Sequence, residues 1–175
     1  MRKTTWNSLE IAKLSASLIT PILVLVLGIL INNSINNAER STSLRSEIYK
    51  TVGGDLNDIY SYLSFVGGWK EHTPLEIIMK KRAVDKAMYT YKPFFTDELF
   101  STYNKFMDEA FAPFGEPGKD AKIRSDINTA DGDRTIHSKD WKPEWEDRFT
   151  KERNKAEQRE AYLKFLDQLA NDLKL

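Results

Sequence analysis

The chain has 175 residues, with 26 basic and 26 acidic side chains, so it carries no net charge near neutrality. That balance excludes a global field of the kind that gathers duplex nucleic acid. The absence of cysteine excludes a disulfide framework, a thiolate nucleophile and a lipid-modified cysteine.

In chain order, the first feature is an uncharged run. Leu14–Ile31 contains no ionisable side chain, and the next one comes only after Ala38. A helix of that length rises about 27 Å, close to the roughly 30 Å of a bilayer's hydrocarbon core. The composition predicts a transmembrane helix over about 14–34, within an N-terminal segment 1–40. Pro21 would bend it, and Trp6 would suit the interface. Arg2, Lys3 and Lys13 before the run nearly balance Arg40, Arg45 and Lys50 after it, so charge alone does not orient the span.

Residues 41–175 read as a helical domain. Leu44, Ile48, Val52, Leu56, Ile59, Tyr60, Leu63 and Val66 recur at helical spacing, interrupted by Gly53-Gly54 and ended by Gly67-Gly68. This predicts one long helix with a weak point, or two helices. Thr73, Pro74 and Glu76 form a capping-box start for a helix running to about Tyr91. Another is expected from Thr96, with Asp97 and Glu98 in its first turn. A last helix is expected from about Pro143 through Leu173. No sustained alternation marks a strand. The expected fold is all-α, one N-terminal transmembrane helix followed by a small helical bundle with a long polar loop.

That loop is Pro113–Lys142, rich in glycine, aspartate and lysine. Lys119, Lys122, Arg124, Arg134, His137 and Lys139 could bind an anion, and Trp141 could stack on a base. Asp120, Asp126, Asp131, Asp133 and Asp140 lie in the same stretch, so a solvated network of ion pairs is the competing reading. The aromatic set Tyr60, Tyr62, Phe65, Trp69, Tyr89, Tyr91, Phe94 and Phe95 reads as core rather than as a ligand cage. Two histidines and no phosphate-binding, dinucleotide or nucleophile-elbow motif point away from an enzyme, and no cofactor is implied. Asp126–Asp133 fails as a calcium loop, because the glycine and glutamate it needs are replaced by Asp131 and His137.

Ser8-Leu9-Glu10-Ile11-Ala12-Lys13-Leu14, Leu56-Asn57-Asp58-Ile59-Tyr60, Phe65-Val66-Gly67-Gly68-Trp69-Lys70 with Thr73-Pro74, and Gly118-Lys119-Asp120-Ala121-Lys122-Ile123-Arg124 together carry a resemblance. The chain resembles small bacterial proteins with one N-terminal span and a helical domain. Their design is similar to membrane effectors of antiviral signalling, such as those that answer a cyclic oligoadenylate in type III CRISPR systems. The resemblance implies a single-pass protein of the inner membrane, its domain in the cytoplasm, that forms a homo-oligomer around an anionic nucleotide messenger. The expectation from a different class is an adaptor, tethered to the bilayer, whose bundle recruits a protein partner.

Overall fold

The computed structural model describes residues 8–112, 120–151 and 153–174, with α1 side chains described from Leu23 onward, residue 37 excepted. The chain divides into two compact units, Met1–Leu44 and Arg45–Leu175.

Helix α1 spans Ser8–Ser64 and opens the second unit after supplying the first. In the first unit the apolar side chains from Leu23 to Ile35 are 44–64% exposed. Among the described residues no helix is long and apolar enough to cross a membrane. The described apolar run is Leu23–Ile31, which rises only about 13 Å before Asn32, Asn33 and Ser34 break it. The side chains of residues 8–22, Pro21 among them, lie outside the described set, as does Trp6. The expected transmembrane helix, the single-pass description and the inner-membrane location are therefore corrected.

In the second unit, Ile48, Val52, Leu56, Ile59 and Leu63 of α1 are fully buried, as their spacing predicts. The helix passes through Gly53-Gly54 without interruption. It ends at Phe65, which takes a left-handed φ of 59°, and the Val66 amide donates to the Ser61 carbonyl at 3.1 Å. Helix α2 spans Pro74–Thr90 and has both halves of the expected capping box at Thr73 and Glu76. Helix α3 spans Asp97–Ala110, with the Thr96 hydroxyl accepting from the Leu99 amide. It forms the unit's most extensive helix pair with α5.

Helix α5 runs only from Lys155 to Leu173 and is capped by Asn154, whose side chain accepts from two amides. The expected last helix from Pro143 is corrected: Pro143–Arg148 is a 3-10 segment, and Phe149–Thr150 is a strand. Phe149 falls within that expected helix, yet its backbone is committed to a sheet. Tyr60 of α1 stacks on Tyr162 of α5, with ring centroids 4.1 Å apart and planes within 2°. Phe106 and Tyr103 of α3 meet Tyr162 and Phe165 at 5.7 and 5.6 Å.

The expected long polar loop is also corrected. Its residues 113–119 lie outside the described set, but from Asp120 onward it is built into small elements. Strand β2 (Lys122–Arg124) pairs antiparallel with β1 (Phe111–Ala112) and parallel with β5 (Phe149–Thr150). Ile123, the central residue, is fully buried. A hairpin of β3 (Asn128–Thr129) and β4 (Gly132–Asp133) leads into the single turn α4 (Arg134–His137). Gly132 is required there: a Cβ would fall 2.8 Å from a Trp69 ring atom and 2.9 Å from Phe65. The architecture is helical with a small sheet, rather than all-α.

Candidate functional site

The seven expected ligand residues go to different places. Lys119 lies outside the described residues. Lys122 is exposed on β2, and Arg124 beside it is half-buried. His137 ends α4 in solvent. Lys139 is exposed, and its amide donates to the Lys70 carbonyl at 3.0 Å. Trp141 is half-buried, edge-on to Trp145 at 5.9 Å and 6.0 Å from Phe149.

Arg134 is the exception to any surface role, since none of it reaches solvent. Its guanidinium lies 3.8 Å from the Tyr62 ring centre and 4.0 Å from that of Phe65. Nη2 donates to the Tyr62 carbonyl at 2.6 Å and to Ser125 Oγ at 3.0 Å, while Nε donates to the Asp126 carbonyl at 3.1 Å. Arg153 donates to the next α1 carbonyl, Leu63, at 2.8 Å and pairs with Asp126 at 3.1 Å. Two arginines thus satisfy carbonyls that every helix leaves open at its C-terminus, where the backbone dipole favours positive charge. Burial lowers the Arg134 pKa to about 10, which still leaves it charged near neutrality.

Four of the five aspartates of the same stretch are engaged, Asp126 by Arg153 as above. Asp120 joins Arg82 and Arg148, Asp131 pairs with Lys155, and Asp133 caps α4 through the Thr135 amide at 2.8 Å. This arrangement matches the ion-pair reading of the stretch. Among the described residues no cluster of His, Asp and Glu could hold a metal ion.

Among the described residues of the second unit, none of the seven lines either of two clefts. The first, about 450 Å³, is bounded by Asp126, Glu146, Asp147 and Lys151 over the Phe149 ring, so its carboxylates outnumber its cations. The second, about 370 Å³, lies between α2 and α3 and is lined by Lys81, Asp85, Tyr89, Tyr103, Asn104, Met107 and Asp108. Here Lys81 Nζ lies 2.8 Å from Asp85, and the Tyr103 hydroxyl donates to the same carboxylate. Burial and the neighbouring Asp85 push the Tyr103 hydroxyl well above the ordinary tyrosine range, so it acts as a donor and not as a base. Asp108 makes no hydrogen bond or ion pair with a described residue.

The expected aromatic core divides at this cleft. Tyr62, Phe65 and Trp69 are buried, whereas Tyr89 is 64% exposed and Phe94 57%. Tyr89 leans on half-buried Phe100 at 5.9 Å, and Phe95 meets Phe100 at 6.3 Å. Lys92 Nζ sits 5.2 Å over the Phe100 ring. The result is an aromatic surface at the end of α2 and the start of α3, continuous with the cleft through Tyr89. Sequence reasoning missed it, although Lys81, Asp85 and Tyr89 recur at four-residue steps, as do Asn104 and Asp108.

Comparison with family models, with curated proteins and with solved structures finds no match.

Proposed function

We propose that the chain is a non-enzymatic protein-interaction module whose contact face is the aromatic surface beside the α2–α3 cleft. One observation carries this reading. Tyr89 stands open to solvent against Phe100, which also meets Phe95, and Phe94 beside Phe95 in the chain is exposed too, in a unit that buries most of its other described rings. Single exposed apolar side chains are ordinary, but a group of rings that adjoins a cleft through Tyr89 has the composition of an interface centre. Rings held by neighbouring rings lose little conformational freedom on binding, which favours them as hot spots.

The test is capture from extract of the source cells by the full chain and by a Tyr89→Ser/Phe94→Ser variant, with Ile136→Ser as the control on another exposed apolar residue. The expected result is a set of proteins retained by the wild type and by Ile136→Ser but lost with the double variant. Equal retention by all three would defeat the proposal.

An anionic nucleotide as ligand is the second reading. The bond from the Lys139 amide to the Lys70 carbonyl favours it, since it brings two exposed lysines together near His137. A thermal-shift screen against cyclic and linear oligoadenylates tests it. Binding to the native state at a hundredfold excess over Kd adds about 2.7 kcal/mol of apparent stability. A shift abolished by Lys70→Ala/Lys139→Ala would put this reading first.

A further inference from the structure

Within the interaction-module reading, we infer that the α2–α3 cleft receives an arginine or lysine side chain of the protein partner. The argument is one of charge and shape. Of the three charged groups lining the cleft, Lys81 is committed to Asp85 on its own helix and to the Phe111 ring, 5.6 Å from the ammonium. Asp85 is occupied twice over, by Lys81 and by the Tyr103 hydroxyl. Asp108 alone is left with no described partner. An entering anion would find no uncommitted cation, whereas an entering cation would find one open carboxylate.

The walls suit such a cation. Tyr89 lines the cleft and is 64% exposed, and its ring can attract a guanidinium or ammonium through its quadrupole. Tyr103 and Met107 supply apolar lining for a long aliphatic stem. Asn104, one turn before Asp108, adds an amide oxygen able to accept a further N–H. A volume near 370 Å³ lies at the lower end of small-ligand sites, about 300–1,000 Å³, and accommodates one long side chain. Arginine fits better than lysine, because its planar fork can stack on Tyr89 while pairing with a carboxylate. Phe94 and the Phe100 cluster would then take apolar residues flanking that arginine.

The experiment is an NMR titration of the isotopically labelled full chain with a blocked tetrapeptide, leucine-arginine-proline-leucine, and with its counterpart carrying glutamate in place of arginine. The expected result is amide shifts confined to residues around Tyr89, Asn104 and Asp108 with the arginine peptide, and none with the glutamate peptide. Asp108→Asn and Tyr89→Leu should each weaken binding about tenfold. Asp108 is exposed, so an unchanged thermal midpoint will show that its variant is folded. Equal shifts with both peptides, shifts elsewhere, no shifts, or full affinity in Asp108→Asn would each overturn the inference. If extract capture still depends on Tyr89 and Phe94 while the arginine peptide fails, the interaction module stands and its partner docks through apolar contacts alone.

Discussion

The α3–α5 pair and the stretch from Asp120 to Arg153 hold themselves together by opposite means. In the helix pair, Leu99, Tyr103 and Phe106 face Tyr162, Phe165 and Leu169, and no single contact dominates. Dispersion and burial are shared among many side chains, so each can be trimmed at moderate cost. The other stretch has strands of two or three residues and one turn of helix. It relies on a few polar bonds that reach far along the chain. Arg134 and Arg153 hold the end of α1, and the Gln158 amide donates to the Glu109 and Arg124 carbonyls, both at 2.7 Å. Stability spread over a surface tolerates change, whereas stability concentrated in a few buried donors does not.

The sharpest way to break this contrast is Arg134→Ala. It removes three donated bonds, takes the side-chain donor from the Tyr62 carbonyl and the stronger of two donors from the Asp126 carbonyl, and opens a cavity among four rings. We expect a loss of about 3–5 kcal/mol by urea unfolding, from the cavity and the acceptors that lose this donor. A loss under about 1 kcal/mol would mean that the stretch is held by something other than its arginines. Gly132→Ala comes next, at about 1–3 kcal/mol, because the new methyl meets ring atoms that are themselves packed around Arg134. On the helix side, Phe165→Leu should cost no more than about 1.5 kcal/mol despite complete burial. A larger cost than for Gly132→Ala would reverse the comparison.

The smallest effect concerns pH. The Glu76 carboxyl is held below the ordinary glutamate range, chiefly by the hydrogen bond from the Thr73 amide. Its stabilisation is present above the unfolded-state value and is lost as the pH falls through the lowered native one. Glu76→Gln should therefore flatten the acid limb of stability against pH and leave the neutral region almost unchanged. A steeper acid limb would contradict the assignment.

These differences explain what could be read in advance. Local rules found α2 and α3, because Thr73 and Thr96 announce themselves within four residues of the amides they cap. The buried face of α1 from Ile48 to Leu63 was legible for the same reason, as periodicity is a local signal. The strands were not legible: two or three residues cannot display an alternation, and, outside the β3–β4 hairpin, their partners lie 10 to 26 residues along the chain. Arg134 was misread as a ligand residue because a sequence shows a charge but not the rings that close over it. The apolar run before Asn32 suggested a membrane span, and the described part of it is too short for one. The α2–α3 cleft was legible only as spacing, since Tyr89 and Phe94 look like core until the packing shows which rings are left outside.

The arginine cap on α1 also has a bearing on the order in which the chain acquires structure. Leu63 is 90 residues ahead of Arg153, and Tyr62 is 72 ahead of Arg134. A ribosome adding about 5–20 residues per second reaches Arg153 roughly 5–18 s after it has placed Leu63. Until Arg134 is added the last turn of α1 has its own Phe65 turn but neither of the side chains that complete it, and until Arg153 is added it has only one of them. The closure is therefore late and non-local, and it belongs with the slow steps of folding. Nascent chains halted before Arg153 should carry a frayed α1 terminus, which gives a protease a way to tell an unfinished copy from a finished one.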